Sequence, residues 1–410
     1  MEKTIRNMFV LMCLLMVFVT GCKQKPLPLV YPTIHEAVYN GDIADVKRHL
    51  QRGANINAKG KGRKDWTPLI EAVLFCRKLD MLEYLIGQGA NDNVGDNHGD
   101  TPLHYAASEN RLEAVKFLVA RGAYVNATNN YGRTPIGLAV GRGNFEVVEF
   151  LIDHRADMNG RNMDGMTLLG VAVERGDLDI VNVLVNKGMD LYARDKFGRT
   201  LLHLAAENQA LEVVKFLVGQ GANMNAKNNH GETPLHLASS KGNLDMVKFL
   251  VSQHADMNAR DNYYGDTPLH EAARNGKLYV VEFLVDKGAS VNTKDKPGQT
   301  PLFSAVDGWT PPSFTNLPAV DRGHKDVIEF LIGQGANINE KDNNGGTPLH
   351  HAASNWRLEA AKFLVAKGAN VNAKDNDGDT PLNTARRNNN HNLNKDMIEF
   401  LSAITRSAKE

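Results

Sequence analysis

Cysteine is nearly absent from this chain. Its 410 residues hold three, and two of them, Cys13 and Cys22, fall within the first 22 positions. Cys76 stands alone in the remainder, and one thiol makes neither an internal disulfide nor a cysteine-based zinc site. An excess of either charge is also absent, since Lys+Arg and Asp+Glu both count 47. Phosphate backbones are bound through a basic surface, so this balance argues against nucleic acid as the main partner. No apolar run is long enough to span a bilayer. The longest, Met8 to Val19, reaches about 18 Å as a helix against a hydrocarbon core of ~30 Å. Catalytic signatures are missing too: no G-x-x-x-x-G-K-[ST] phosphate loop, no G-x-S-x-G and no H-E-x-x-H. The sequence therefore indicates no enzyme, no cofactor, no metal and no small-molecule substrate.

What the chain has in abundance is one short pattern. Thr-Pro-Leu-His occurs at Thr101–His104, Thr233–His236, Thr267–His270 and Thr347–His350. Looser copies begin at Thr67, Thr134, Thr167, Thr200, Thr300 and Thr380. The interval is about 33 residues, the signature of a solenoid whose core grows by stacking. In the unit from Asp100 to Ala127, Thr101 is placed to cap a short helix and Pro102 to open it. Leu103, Ala106 and Ala107 form its inner face. A turn near Glu109-Asn110 leads to a second helix with the apolar stripe Leu112, Val115, Leu118 and Val119. Gly122 ends that helix in a left-handed cap, and an outward loop runs on to Thr134.

This unit, with its Thr-Pro-Leu-His, Gly-Ala and Val-Asn-Ala elements, closely resembles the ankyrin repeat. The resemblance covers Tyr31 to about Thr405. It implies an all-α solenoid of about eleven stacked helix–turn–helix–β-hairpin-loop units over residues 32–405, a curved stack on the order of 100 Å long, with 406–410 as a polar tail. It also implies that each recurrent histidine ties one repeat to the next by hydrogen bonds. One histidine per repeat serves architecture and not a single site. His350 and His351 are adjacent on a helix and face different ways. Asp375-x-Asp377-x-Asp379 begins like a calcium loop, but Thr380 and Arg386 stand where Gly and Glu are needed.

The departures from the pattern are informative. Cys76, Asn110, Gln209 and Trp356 replace the usual Gly between the two helices. Asn tolerates the left-handed conformation, whereas Trp356 is either strained or in a rearranged turn. Cys76 reads as a partly buried thiol, with a reactive one beside Arg77 and Lys78 as the alternative. The loop at Tyr263-Tyr264 carries one extra residue. An insertion at about 308–321, in the repeat that starts near 298, carries Trp309 and Phe314 among prolines. Lys59 to Lys64 is a small basic run, read as a solvated loop.

The N-terminus has its own signature. Lys3 and Arg6 precede the apolar run, giving a signal-peptide core over residues 1–21. Val19-Thr20-Gly21-Cys22 resembles the lipobox of bacterial lipoproteins. That resemblance makes Cys22 the acylated first residue of the mature chain and 22–31 a tether. The implied localisation is the cell envelope, held to a membrane by a lipid.

In the fold so implied, partners meet the concave face, made of loop tips and first-helix surfaces. Those positions here hold Tyr131, Arg133, Arg142, Arg175, Phe197, Arg199, His230, Tyr263, Tyr264 and Arg274, with Trp309 and Phe314 on the insertion as further candidates. Aromatics and arginine dominate interface hot spots. Packing of Tyr131, Phe197 and Tyr264 against neighbouring tips is the structural alternative. The expectation is a non-catalytic scaffold for a protein partner. A secreted or host-directed effector is the second reading, and an enzyme or metal protein using histidines the third.

Overall fold

The structure, a computed structural model, describes residues 27–60, 65–308, 320–387 and 395–407. Cys22, the signal segment, Trp309 and Phe314 lie outside them, as do 61–64 of the basic run. The described residues hold twenty-two helices, arranged in pairs, and no helix among them is long and apolar enough to cross a membrane. They group into two compact units with the boundary between Asp157 and Met158. In the first unit the opening helices of the pairs are Ile34–Tyr39, Pro68–Phe75, Pro102–Ser108 and Pro135–Arg142, each packed on the next. In the second they run from Leu168–Arg175 through Leu201–Glu207, Pro234–Lys241, Pro268–Arg274, Pro301–Gly308 and Pro348–Ser354 to Pro381–Arg387.

Each opening helix begins as its sequence dictates. Thr101 is extended at φ −79° and the helix starts at Pro102, where a missing N–H costs nothing. Where His follows at the third helical position, Thr and His cap reciprocally: the Nδ1 of His104 accepts from the Thr101 backbone N–H at 3.1 Å. The same box closes at Thr200, Thr233, Thr267 and Thr347. Leu103, Ala106 and Ala107 are fully buried, and the alanines let neighbouring opening helices approach closely. On the second helix Ala114, Val115 and Leu118 are buried. Leu112 and Val119, expected in that stripe, are only half-buried.

The turns divide by residue. Gly143, Gly176, Gly242 and Gly276 take positive φ, and so do Asn110 (54°), Gln209 (61°) and Trp356 (58°). Trp356 thus keeps the standard turn in a strained conformation, and its indole N–H is buried without a hydrogen-bond partner. Cys76 instead sits at φ −85°, ψ 118°, in a rearranged turn. Gln209 is exposed, so it carries the backbone strain with little packing in return. Gln209→Gly is expected to raise stability by about 1 kcal/mol in urea denaturation.

The expected β-hairpin loops lack strands among the described residues; only an isolated bridge, Arg161 to Thr167, is present. The loops are tight turns closed by backbone bonds such as Asn129 N–H to Arg133 O at 3.0 Å and Gly132 N–H to Asn129 O at 2.9 Å. The tether also differs from a free linker over residues 27–31. The Val30 and Tyr31 N–H groups donate to the Asp45 carboxylate at 3.0 and 2.9 Å, and Arg52 donates to Leu27 O at 2.7 Å. Burial works against charge on Asp45, but those N–H groups and Arg48 outweigh it and hold the carboxyl below its usual range. The insertion contributes to a longer second helix, Val320–Gly333. There His324 Nε2 donates to Arg274 O at 2.9 Å.

Candidate functional site

The loop tips are rigid because two hydrogen-bond systems hold them. Within a tip, an Asp or Asn carboxyl or amide oxygen accepts from the N–H groups two and four residues on. Asn129 Oδ1 does so from Tyr131 and Arg133, and Asp195 Oδ1 from Phe197 and Arg199. Within each unit, a backbone N–H of one tip reaches the tip before it at several places. In the first unit Asn130 N–H donates to His98 O. In the second, Lys196 donates to Asp164 O, Asn229 to Phe197 O, Asn262 to His230 O and Lys296 to Tyr264 O, at 2.7–3.0 Å. Side chains on these tips therefore project from a backbone that needs no ordering on binding.

The expected binding residues divide into two groups. Tyr263 is 71% exposed and meets Tyr264 edge-on, with ring centroids 4.6 Å apart. Phe197 is 41% exposed beneath Lys196 and Arg199, whose cationic groups lie 5.0 and 5.2 Å from its ring centre. Tyr131 hydrogen-bonds His98 Nδ1 at 3.2 Å and carries Arg133 over its ring, so it packs partly on the neighbouring tip. His230, Arg142 and Arg175 are exposed. Arg199 and Arg274 are committed within the fold. Arg199 pairs with Asp195 and Glu207, both at 2.7 Å, and Arg274 with Asp266 at 2.7 Å and Glu271 at 2.8 Å.

Two features were missed. In the first unit an aromatic row crosses the opening helices: Tyr39, Phe75, Trp66 and Tyr105, with successive ring centres 4.8–5.9 Å apart. Trp66 Nε1 donates to Tyr105 Oη, which donates to Asp96, both at 2.8 Å. Tyr39 and Phe75 also edge an open hollow of about 290 Å³ that reaches Cys76 and Met81. In the second unit a polar seam runs through Glu271, Asp307, Asp342 and His351. His351 Nε2 lies 3.0 Å from Asp342 and its Nδ1 3.4 Å from Asp307. Burial opposes charge on that imidazole, but the two carboxylates prevail and raise its pKa to about 9. Burial lifts Glu271 to about 7, against the pull of Arg274. A signal was present in the sequence: Tyr105, Glu271 and His351 stand where other units have Leu138, Val171, Leu204 and Leu237.

The recurrent histidines are fully used. His236 has no exposed surface; its Nδ1 accepts from Thr233, and its Nε2 donates to Asp266 O of the next unit at 3.1 Å. His104, His203, His270 and His350 repeat both bonds. Burial depresses the pKa of each, in His270 to about 4. Cys76 donates to Val38 O at 3.3 Å, and burial raises its pKa with Glu71 adding to the effect and Arg111 opposing it. A thiol held protonated is not the reactive cysteine of the alternative reading.

Comparison with known proteins agrees with this geometry. Family models of ankyrin repeats match residues 34–129, 122–195, 188–261 and 318–406 as three-copy arrays, and 240–285 and 269–309 as many-copy arrays. A Fowlpox virus (strain NVSL) protein described as an ankyrin repeat protein is 32% identical over 83 residues. That stretch is 20% of this chain and 14% of the viral protein.

Proposed function

Because this chain belongs to the ankyrin repeat family, we propose that it is a non-catalytic scaffold of eleven repeats that captures a protein partner. Contact is through the loop tips and the exposed faces of the opening helices. The observation that carries this reading is the tip geometry. Tyr263, Tyr264 and Phe197 are exposed aromatics on backbones already fixed by neighbouring tips. Large, pre-positioned aromatic side chains contribute affinity at low ordering cost.

The scaffold is held in a bacterial cell envelope by acylation of Cys22, on the strength of Val19-Thr20-Gly21-Cys22 behind a charged, apolar leader. Anchoring confines encounters to the membrane plane. Two measurements test the proposal. Affinity capture of the tagged full chain, read by mass spectrometry against a tagged unrelated lipoprotein, is expected to return a specific protein; none above the control overturns the scaffold reading. Cys22→Ala is expected to move the protein from the membrane to the soluble fraction. Unchanged fractionation contradicts the anchor, and release of wild-type protein into the medium favours the effector reading.

A further inference from the structure

Throughout the second unit, one loop position is always a cation. Arg161, Arg194, Lys227, Arg260, Lys294, Lys341 and Lys374 each stand directly before the Asn or Asp that organises a tip. They are joined in space. Each side chain, from Arg161 to Lys341, donates to the backbone carbonyl of the next residue in the series. These six bonds, of 2.6–3.1 Å, run without a break from Arg161 to Lys374. In the first unit the equivalent positions hold Gly95 and Thr128.

The charge on this row is unanswered. All seven residues are exposed. Among the described residues, one of the seven has a carboxylate within ion-pair range: Lys294, 2.7 Å from Glu340. The acids next in sequence are spent inside the tips, where Asp195, Asp261, Asp295, Asp342 and Asp375 accept from tip N–H groups. A carbonyl tie fixes a cation without neutralising it, and it leaves donors over. Lys227 and Lys341 spend one N–H of three. Arg194 and Arg260 make their ties through Nη1 and keep Nη2 and Nε. A neutral donor would serve the tie equally well. Like charges held in line also repel one another. The unit thus presents a fixed row of positive charge, one residue wide, with donors pointing to no acceptor of its own.

We propose that this row docks an extended acidic polypeptide that carries a carboxylate at every third residue. Charge complementarity selects an anionic partner, and the spacing selects its form. Neighbouring repeats stand about 8–10 Å apart. A chain in the polyproline II conformation has three residues per turn and rises about 3.1 Å per residue. Every third side chain then falls on one face, about 9 Å from the last, in step with the row. A β-strand presents one face about every 7 Å and drifts out of step. Phosphates of a duplex strand come about every 3.4 Å, and a membrane surface calls for a broad patch and not a line. About twenty residues of partner span the seven cations. The proposal rests on the scaffold reading and gives a chemistry to part of the partner, at positions other than the tip aromatics.

The test is fluorescence anisotropy of a labelled peptide of seven Pro-Pro-Glu triplets, titrated with the full chain at about 50 mM salt. The control peptide has the same composition with its glutamates in one block. The triplet peptide is expected to bind saturably, at least tenfold more tightly than the block peptide, and to weaken as salt is raised to about 300 mM. Arg194→Gln with Lys227→Gln and Arg260→Gln is expected to weaken it at least tenfold. Should that variant fail to fold by circular dichroism, Lys227→Gln with Lys341→Gln reads the same loss. The proposal is overturned by the absence of saturable binding, by equal affinity for the two peptides, or by equal affinity of variant and wild type. It is also overturned if oligodeoxythymidine or phosphatidylglycerol vesicles bind more tightly than the triplet peptide. Failure of peptide binding with specific partner capture intact removes the row and leaves the scaffold reading standing.

Discussion

His236→Ala is expected to lower stability by about 3 kcal/mol at pH 7.5, the sum of a few orphaned polar groups at about 1–3 kcal/mol each. The imidazole has no exposed surface and touches two repeats at once. Its Nδ1 accepts from the Thr233 backbone at 3.1 Å and from the Thr233 hydroxyl at 2.9 Å, and its Nε2 donates to Asp266 O at 3.1 Å. Alanine leaves all of these unpaired and opens a cavity. The bonding fixes the neutral Nε2–H tautomer, since Nδ1 must accept from a backbone N–H. That accounts for the sign of the pH dependence. Burial lowers the folded pKa of His236, so below the unfolded value of about 6.5 the unfolded chain takes up protons that the fold refuses. The stabilisation is present above about pH 6.5 and shrinks as pH falls below it. Urea denaturation of wild type and variant at pH 5 and 7.5 is the measurement, with hydrogen exchange of the Pro234–Lys241 helix to catch local opening. His230→Ala, an exposed tip position, is the control and is expected to cost less than about 0.5 kcal/mol.

His351→Gln has the opposite signature. This imidazole is charged and bridges Asp342 and Asp307, and its ring meets Phe303 edge-on at 5.0 Å. Around it stand the two aspartates, His350, the amide of Asn355, which donates to Asp307 at 2.9 Å, and Arg357, which donates to the Asp307 carbonyl at 3.1 Å. Burial opposes the charge, the carboxylates outweigh it, and the pKa stands at about 9. A folded pKa above the unfolded value gives stability that is fully present below about pH 6.5 and lost as pH rises through 9. The interval corresponds to about 3 kcal/mol as an order of magnitude. His351→Gln is therefore expected to cost most near pH 6 and almost nothing at pH 9.5, in denaturation curves taken across that range. A cost that does not change with pH would mean that His351 is held by packing alone.

Much of the fold was legible because the repeat shows each role many times over. Thr caps, Pro opens, Leu packs and His ties, and all follow from local chemistry at fixed offsets. The tip aromatics at 197, 263 and 264 were legible for the same reason, since tip side chains are free of packing duties. What was not legible depends on register between units. Trp66 meets Tyr105 across 39 residues, and Asp307 meets His351 across 44. Sequence spacing does not say which neighbour a side chain reaches. Arg199 and Arg274 illustrate this, since both looked available to a partner and each instead binds two carboxylates of its own unit. Cys76 shows a different limit. Its turn abandons the left-handed conformation that Gln209 and Trp356 accept, and Arg111 reaches over to the Leu74 and Cys76 carbonyls.

Architecture lies in the Thr-Pro-Leu-His column, and specificity is proposed to lie at the tips. The most direct test is the affinity of the captured partner for two multiple variants of equal stability. One is Phe197→Ala with Tyr263→Ala and Tyr264→Ala. The other is Tyr192→Ala with Tyr279→Ala, two tyrosines as exposed as Tyr263 or nearly so. The first is expected to weaken binding about 100-fold, at roughly 1 kcal/mol per aromatic, while the second stays within about threefold of wild type. Equal losses in both variants, or a tip variant that binds as wild type, would contradict it.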